Sequence, residues 1–379
     1  MHLERSRAGR SICNFVRRAK MTEEDVKQLV GALIDPVSGK KFSELRAVRG
    51  CAVKDGSVSV TVNPGYPVRS TKAAIEKLVR EALEKAGFES VSVTVSPTIA
   101  AHRVQRTLKT LQNVRNIIAV SSGKGGVGKS TVAANLALAL AAEGARVGML
   151  DADIYGPSQP MMLGASGQPT TIDGEHMEPI ESLGLEINSI GFMIDPDEPM
   201  IWRGPMVSSA LTQLLNQTNW HDLDYLIIDM PPGTGDIQLT LTQSIPVTGA
   251  VIVTTPQDIA LLDAKKGLRM FQKVNVPILG IVENMALFRC PKCGHLEHIF
   301  GEGGARRMSE QYKVPVLGQL PLDASIREQA DSGKPTVAAE PDSEVACIYR
   351  SIALKAAAEV AAASRDMSRV MPSVKVVND

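Results

Sequence analysis

Residues 123–130 read Gly123-Lys124-Gly125-Gly126-Val127-Gly128-Lys129-Ser130 and fit the pattern Gly-x4-Gly-Lys-Ser of a phosphate-binding loop, or P-loop. An apolar run at 117–120 precedes the loop and a helical pattern follows it at 130–143, which is the context that the pattern requires. Glycines let backbone N–H groups close around a phosphate, and the helix N-terminus adds positive potential. The sequence therefore predicts a nucleotide site in which Lys129 contacts the β- and γ-phosphates and Ser130 binds Mg²⁺.

Apolar strands alternate with helical stretches on the C-terminal side of this loop. Because such alternation buries parallel strands under helices on both faces, we predict an α/β fold, a mainly parallel, doubly wound P-loop NTPase sheet. Ligands of such sheets bind beyond the carboxyl ends of the strands. The predicted strands are 116–120, 146–150, 224–229, 249–254, 277–282 and 316–320, and the predicted helices are 130–143, 204–216, 257–273 and 303–312.

A small N-terminal α+β domain is predicted ahead of the loop. Thr22 followed by acidic residues predicts a helix N-terminus. The alternation at 57–62 and 90–95 predicts two half-buried strands, and apolar spacing over 70–86 predicts a helix between them. The expected organisation is a basic tail over 1–21, the small domain over 22–100, a linker over 101–115, the P-loop domain over 116–365 and a C-terminal tail over 366–379.

Composition and charge limit the class of protein. Lys and Arg number 41, as do Asp and Glu, which argues against a nucleic-acid coat or a polybasic membrane binder. Five cysteines in 379 residues are too few for a disulfide framework. We expect an intracellular, cytoplasmic protein with no nucleic-acid partner and no stable membrane association. The Arg-rich, acid-poor residues 1–20 leave an organelle matrix or stroma open, if they act as a transit peptide.

Acidic residues follow two of the predicted strands. Asp151 and Asp153 come after strand 146–150, and Asp229 ends an apolar strand, as in a Walker B motif. An acid in that position contacts Mg²⁺ directly or through water. The Pro/Gly-rich segment 230–236 follows at once and can bring its backbone near the γ-phosphate. These residues are expected where the metal and the attacking water have to be placed.

A second lysine distinguishes this loop from other P-loops. Lys124 follows the first glycine, and the resulting Lys-Gly-Gly-x-Gly-Lys-Ser resembles the deviant Walker A motif of the class that includes MinD, ParA and nitrogenase iron protein. The resemblance implies a homodimer with ATP at the interface, in which Lys124 reaches the nucleotide of the partner subunit. A cation inserted in this way stabilises charge on the transferring phosphoryl group.

Two cysteines, Cys290 and Cys293, share a Pro/Gly turn. Two thiols at this spacing can converge on one metal, and a two-fold dimer would supply the four ligands of an iron–sulfur or zinc site. Three alternatives remain open at this point. They are a redox disulfide, an intrachain zinc site completed by His295 and His298, and two inert thiols.

Several segments between residues 116 and 336 together resemble the Mrp/ApbC-type iron–sulfur cluster carrier ATPases. The resemblance implies transient binding of a [4Fe–4S] cluster between subunits, its transfer to apo iron–sulfur proteins, exchange with a cluster assembly scaffold, and modulation of carriage by ATP. The segments are 123–130, 151–158, 202–206, 229–236, 283–285 and 290–293.

Residues 22–100 resemble the iron–sulfur assembly domain that is often fused ahead of such ATPases. That domain often carries a cysteine in the loop after its first strand pair. This chain has Asn63-Pro64-Gly65-Tyr66-Pro67 there instead. The difference favours a docking or regulatory role over a ligand role for the domain.

The resemblance also implies roles for single residues. Asp153 lies in switch I and orients the attacking water, and it acts in catalysis with Lys124 and Lys129. Asn284 reads the adenine edge, and Pro321 and Asp323 lie in a second base-contacting stretch. Asp229 and Ser130 hold magnesium, and Cys290 and Cys293 hold the iron–sulfur cluster. The expected nucleotide contacts in the loop are Gly123, Lys124, Gly125, Gly126, Val127, Gly128, Lys129, Ser130 and Thr131.

Two other functions stay open on the sequence. One is a MinD/ParA-like ATP-dependent spatial organiser, which would need a basic amphipathic C-terminus or a basic surface. Residues 367–379 carry only Arg369 and Lys375 as cations, which argues against membrane targeting of that kind. The other is a zinc-binding metallochaperone NTPase, which metal analysis of the purified protein would distinguish.

Overall fold

The computed structural model describes residues 21–102, 108, 110–194 and 204–363. Residues 1–20 of the tail predicted over 1–21, the tail predicted over 366–379, part of the predicted linker, and Trp202 and Arg203 lie outside the described residues.

The N-terminal residues form a three-stranded sheet in the order β1-β2-β3 with two helices packed on it. The helix predicted at Thr22 is confirmed: Thr22 and Asp25 form a reciprocal capping box at its start. Strands β2 and β3 have the predicted bounds, and β1 was not predicted. The elements are α1 (Glu23–Ala32), β1 (Val48–Lys54), β2 (Ser57–Val62), α2 (Lys72–Lys85) and β3 (Ser90–Val95).

The rest of the described chain forms a mainly parallel sheet with helices on both faces, so the predicted fold class is confirmed. The central strands β4, β8 and β9 are buried along almost their whole length, because helices cover both of their faces. The elements are β4 (Val114–Ser122), α3 (Lys129–Ala142), β5 (Val147–Asp151), α4 (Gln159–Met162), β6 (Ile180–Ser182), β7 (Leu185–Ser189), α5 (Gly204–Asn216), β8 (Leu223–Asp229), α6 (Asp236–Ser244), β9 (Gly249–Thr254), α7 (Asp258–Lys273), β10 (Ile278–Arg289), β11 (Leu296–Glu297), α8 (Gly304–Tyr312), β12 (Val316–Leu322), α9 (Ala324–Asp331), α10 (Thr336–Ala339) and α11 (Glu344–Ala362).

The strand order of this sheet places the P-loop at its centre. Among the described residues the order is β11-β10-β9-β4-β8-β5-β7-β6, with β12 paired to β10. The short strands β6 and β11 are antiparallel to their neighbours, and the other pairings are parallel. Because β4 lies between β8 and β9, the loop that follows it sits where the carboxyl ends of several strands meet.

Strand β10 differs from its prediction. The polar residues Glu283 and Asn284 end the apolar run, so the sequence predicts a strand that stops at 282. The strand instead continues to Arg289 after an irregularity in its pairing with β12 between Glu283 and Leu287. Met285 has φ +57° within that irregularity. This bulge is possible because Glu283 is buried and satisfied, accepting hydrogen bonds from Ala305 N (2.7 Å) and Gln319 Nε2 (2.5 Å).

Helix α11 was not predicted. It is rich in alanine and buried on most of its sides, packing against α3, β12 and the N-terminal residues. Only a narrow polar line through Ser351, Lys355 and Glu359 runs along it, so the amphipathic period that reveals surface helices is weak in its sequence.

The N-terminal residues pack on the C-terminal ends of α3 and α11. Arg69 Nη1 donates to the carbonyl oxygen of Ala142 (2.9 Å), and Ser70 N donates to Glu143 Oε2 (2.8 Å). Lys40 Nζ pairs with Glu359 at 2.6 Å. The buried apolar side chains of both parts form one continuous cluster. Within the described residues, no helix combines the length and apolar character needed to cross a membrane.

The central strands generate a stability prediction. Ile227 in β8 is fully buried, so Ile227→Ala should lower the free energy of unfolding by about 2–5 kcal/mol, through lost burial and the cavity left behind. Ile172 is 83% exposed, and Ile172→Ala should change it by less than about 0.5 kcal/mol. Urea denaturation followed by circular dichroism measures both. Equal losses in the two variants would contradict the described core.

Candidate functional site

The P-loop has the backbone conformation that its glycines allow. Gly126 and Gly128 have φ +79° and +81°, in the left-handed region that favours glycine. A Cβ on Gly128 would lie 2.2 Å from Asn284 Nδ2, and one on Gly123 would lie 2.1 Å from the carbonyl carbon of Asp263. The loop is thus fixed from two sides, by α7 and by the bulge in β10.

Lys129 is the centre of the polar contacts at this site. Its side chain is only 6% exposed, and its ammonium contacts Asp229 Oδ1, Ser130 Oγ (3.1 Å) and Asp153 Oδ2 (3.9 Å). The structure therefore brings together the P-loop lysine, the serine beside it and both predicted carboxylates.

Asp151, which the sequence placed near the metal without a role of its own, organises the loop that carries Asp153. It is fully buried and accepts hydrogen bonds from Asp153 N (3.1 Å), Ser158 N (2.9 Å) and Gln159 N (3.0 Å). Burial, and next to it the charge of Asp229, raises the pKa of Asp151 to about 7. Burial also raises the pKa of Asp153.

Asn284 lies against the P-loop. Its Nδ2 donates to the carbonyl oxygen of Val127 at 2.9 Å, which the bulge in β10 makes possible. Its predicted role in reading adenine stays a prediction.

Pro321 and Asp323 lie in and just beyond β12, in a cleft of about 260 Å³ that Ala286 and His298 also line. Asp323 caps α9 by accepting from Ser325 N at 2.9 Å. This hydrogen bond stabilises the start of α9, a structural role that the sequence pattern did not indicate for Asp323. Base contact by Pro321 and Asp323 stays a prediction.

Lys124 is exposed at the tip of the loop. Its carbonyl oxygen accepts a hydrogen bond from Ser122 Oγ at 2.9 Å, which fixes the backbone and leaves the side chain in solvent. A lysine held in this way can reach a second subunit. The reach itself stays a prediction.

Cys290 and Cys293 lie in a tight turn directly after β10. The backbone closes it with hydrogen bonds from Gly294 N to Cys290 O (2.9 Å) and from Cys290 N to His295 O (2.8 Å). Cys293 is exposed and Cys290 half-buried. Hydrogen bonds from the backbone N–H of Lys292, then from the N–H and thiol of Cys293, lower the pKa of Cys290. A lower pKa favours the thiolate, which is the form that binds metal.

The histidines that follow the turn do not complete an intrachain metal site. His298 Nδ1 lies 2.8 Å from the carbonyl oxygen of Ala286, and the two atoms form a hydrogen bond. In the portion of the chain that the structure covers, no three His, Cys, Asp or Glu side chains are gathered into a metal-binding group.

The oxygen atoms beside Lys129 fit Mg²⁺. The Ser130 hydroxyl and the Asp229 carboxylate lie on the same ammonium, and hydroxyl and carboxylate oxygens are ligands that Mg²⁺ accepts. When bound, Mg²⁺ would neutralise charge on the β- and γ-phosphate oxygens.

Comparison with known proteins agrees with this geometry. Residues 113–357 match the family model described as NUBPL iron-transfer P-loop NTPase, and residues 23–96 match that of the iron–sulfur cluster assembly protein. The iron–sulfur cluster carrier protein of Escherichia coli strain K12 is 52% identical over 352 residues, 92% of this chain and 95% of the relative. That of Pseudomonas fragi is 62% identical over 270 residues, 71% of this chain and 94% of the relative.

A solved structure is also similar. It is the nucleotide-binding protein of Archaeoglobus fulgidus in complex with ADP, which is 40% identical, with a TM-score of 0.53 over 59% of this chain and 88% of that chain. The fold and the site define a P-loop NTPase with an N-terminal iron–sulfur assembly domain. Within that class, the chain belongs to the family of iron–sulfur cluster carrier proteins.

The close contact at Gly128 generates a second prediction. Gly128→Ala forces Asn284 away from Val127 and strains a positive φ, whereas Gly126→Ala strains a similar φ with nothing within 4 Å of the new methyl group. The melting temperature without nucleotide should fall further in Gly128→Ala, by about 2 °C or more, since one hydrogen bond contributes about 1 kcal/mol. Differential scanning fluorimetry measures it. Equal melting temperatures would contradict the Asn284 contact.

Proposed function

We propose that this protein is a homodimeric, ATP-hydrolysing carrier that holds a transient [4Fe–4S] cluster between Cys290 and Cys293 of its two subunits and delivers it to apo-proteins. The main observation in support of this proposal is the position of the cysteine turn, which directly follows the strand that contacts the P-loop. Membership of the carrier family supports the cargo, and the deviant loop supports the dimer.

Strand β10 supplies the physical connection between nucleotide and cargo. Asn284 touches the P-loop, and the strand runs on to Arg289, so the two sites are separated by about 20 Å of backbone at about 3.3 Å per residue. A change in the loop that moves Asn284 is transmitted to the cysteine turn through paired backbone. This arrangement supports control of cluster binding by the nucleotide.

In ATP hydrolysis, the residues of this chain act as follows. Lys129 leaves Asp229 and contacts the β- and γ-phosphates, and Asp229 Oδ1 and Ser130 Oγ are the atoms that would hold Mg²⁺. Asp153, 3.9 Å from the Lys129 ammonium, lies at the carboxyl end of β5 and orients the water that attacks the γ-phosphorus. Lys124 of the partner subunit contacts the same phosphates and stabilises the charge that develops as ADP leaves.

The cluster assignment is tested by the paired cysteines. Anaerobic reconstitution should give about four irons and four sulfides per dimer, the content of one four-thiolate cluster. The double variant Cys290→Ala/Cys293→Ala should lose nearly all of both. Cys347→Ala is the matched control, because Cys347 is an exposed free thiol on α11 and should keep full loading. Iron and sulfide are quantified chemically.

Two outcomes of this experiment contradict the cluster assignment. A double variant that retains its iron would remove Cys290 and Cys293 from the site. Zinc at one per dimer without iron, in protein purified without oxygen, would favour the zinc-binding alternative.

The action of Lys124 across the dimer is tested by mixing inactive variants. Lys124→Ala and Lys129→Ala should each abolish ATP hydrolysis. In a mixed dimer one site combines an intact Lys129 with the partner's intact Lys124, so an equimolar mixture should recover about a quarter of wild-type activity, from one working site in half of the dimers. Phosphate release measures it. A mixture as inactive as its parents would contradict action in trans.

A further inference from the structure

Gln159 joins three parts of the nucleotide site although no sequence motif marks it. It is fully buried at the start of α4, immediately after the loop that carries Asp151 and Asp153. Its Nε2 donates to Asp229 Oδ2 (2.9 Å) and to the carbonyl oxygen of Ser130 (3.0 Å). Its backbone N donates to Asp151 Oδ2 (3.0 Å).

The orientation of the Gln159 amide is fixed by its partners. A carboxylate oxygen and a backbone carbonyl oxygen are both acceptors, so only the NH₂ group can face them. The opposite atom, Oε1, is buried and has no hydrogen-bond partner among the described residues. The amide therefore donates to Asp229 although its own oxygen makes no hydrogen bond. Burying an acceptor without a hydrogen bond costs free energy, and this cost points to a role at the site.

The two oxygen atoms of Asp229 are held by different donors. Oδ1 contacts the Lys129 ammonium, and Oδ2 accepts from Gln159. When Lys129 transfers to a phosphate, Gln159 is the donor that remains on Asp229. A carboxylate with one oxygen anchored presents the other in a fixed direction, as outer-shell partners do for metal ligands.

We infer that Gln159 is a positioning residue that orients the Asp229 carboxylate toward Mg²⁺ once Lys129 has moved to the nucleotide. This inference rests on the proposed nucleotide function. The role of Gln159 is to set how strongly Mg²⁺ changes the affinity for the nucleotide, and it is independent of cluster binding.

The test compares nucleotide affinity with and without metal. Gln159→Met keeps the volume and the apolar contacts of the side chain but removes both hydrogen bonds. In wild type, Mg²⁺ should strengthen the binding of fluorescent ADP. In Gln159→Met this strengthening should fall about tenfold, the usual effect of losing an outer-shell partner, while ADP affinity in EDTA stays within about twofold.

Gln238 provides a matched control. It too is a buried glutamine with an unpartnered Oε1 among the described residues, and its Nε2 donates to Ser121 Oγ (2.5 Å) and Pro231 O (3.3 Å), without touching Asp229. Gln238→Met should lower the melting temperature about as much as Gln159→Met. Mg²⁺ should strengthen the binding of ADP to Gln238→Met as much as it does in wild type.

Each outcome is decisive. The positioning role is overturned if Mg²⁺ strengthens ADP binding in Gln159→Met as much as in wild type. It is also overturned if this variant loses as much ADP affinity in EDTA as it does with Mg²⁺. Both outcomes leave the proposed function standing. Wild-type protein that binds no ADP under either condition would instead overturn the nucleotide function itself. Loss of the Mg²⁺ effect in both glutamine variants would show a general response to packing and would also overturn the inference.

Discussion

A buried ion pair between Lys129 and Asp229 is the interaction on which the rest of the site depends. Lys129 is 6% exposed and Asp229 is fully buried, and a buried charge without a partner costs several kcal/mol. The pair therefore joins the start of α3 to the end of β8. The neighbours of the pair, Ser130, Asp153 and Gln159, are arranged around those two charges. In the proposed mechanism, a phosphate replaces Asp229 as the anionic partner of Lys129, and the ammonium stays paired.

The bulge in β10 gives that central pair its connection to the rest of the molecule. The irregularity after Glu283 lets Asn284 contact Val127. The strand then resumes and ends at Arg289, directly before Cys290. The P-loop thus contacts, through Asn284, the strand that leads directly into the cysteine turn, in a family of iron–sulfur cluster carrier proteins.

The sequence predicted the fold class and much of the site because those features are local. The P-loop glycines, the apolar central strands and the acids at their ends lie within short stretches of chain. What it did not reveal depends on distant partners. Gln159 contacts Ser130 and Asp229 only after folding, Gln319 donates to the buried Glu283 where β10 continues, and most of α11 is apolar because α3 and β12 pack against it.

The packing of the N-terminal residues on α3 and α11 limits how the chain can be divided. Gly65 lies so close to α11 that a Cβ there would be 3.2 Å from the Ala361 side chain, and Arg69 closes the end of α3. A fragment beginning near residue 101 would expose the part of this apolar cluster that the N-terminal residues cover, and contiguous apolar surface promotes self-association. The N-terminal residues therefore shield an apolar part of α3 and α11 from solvent.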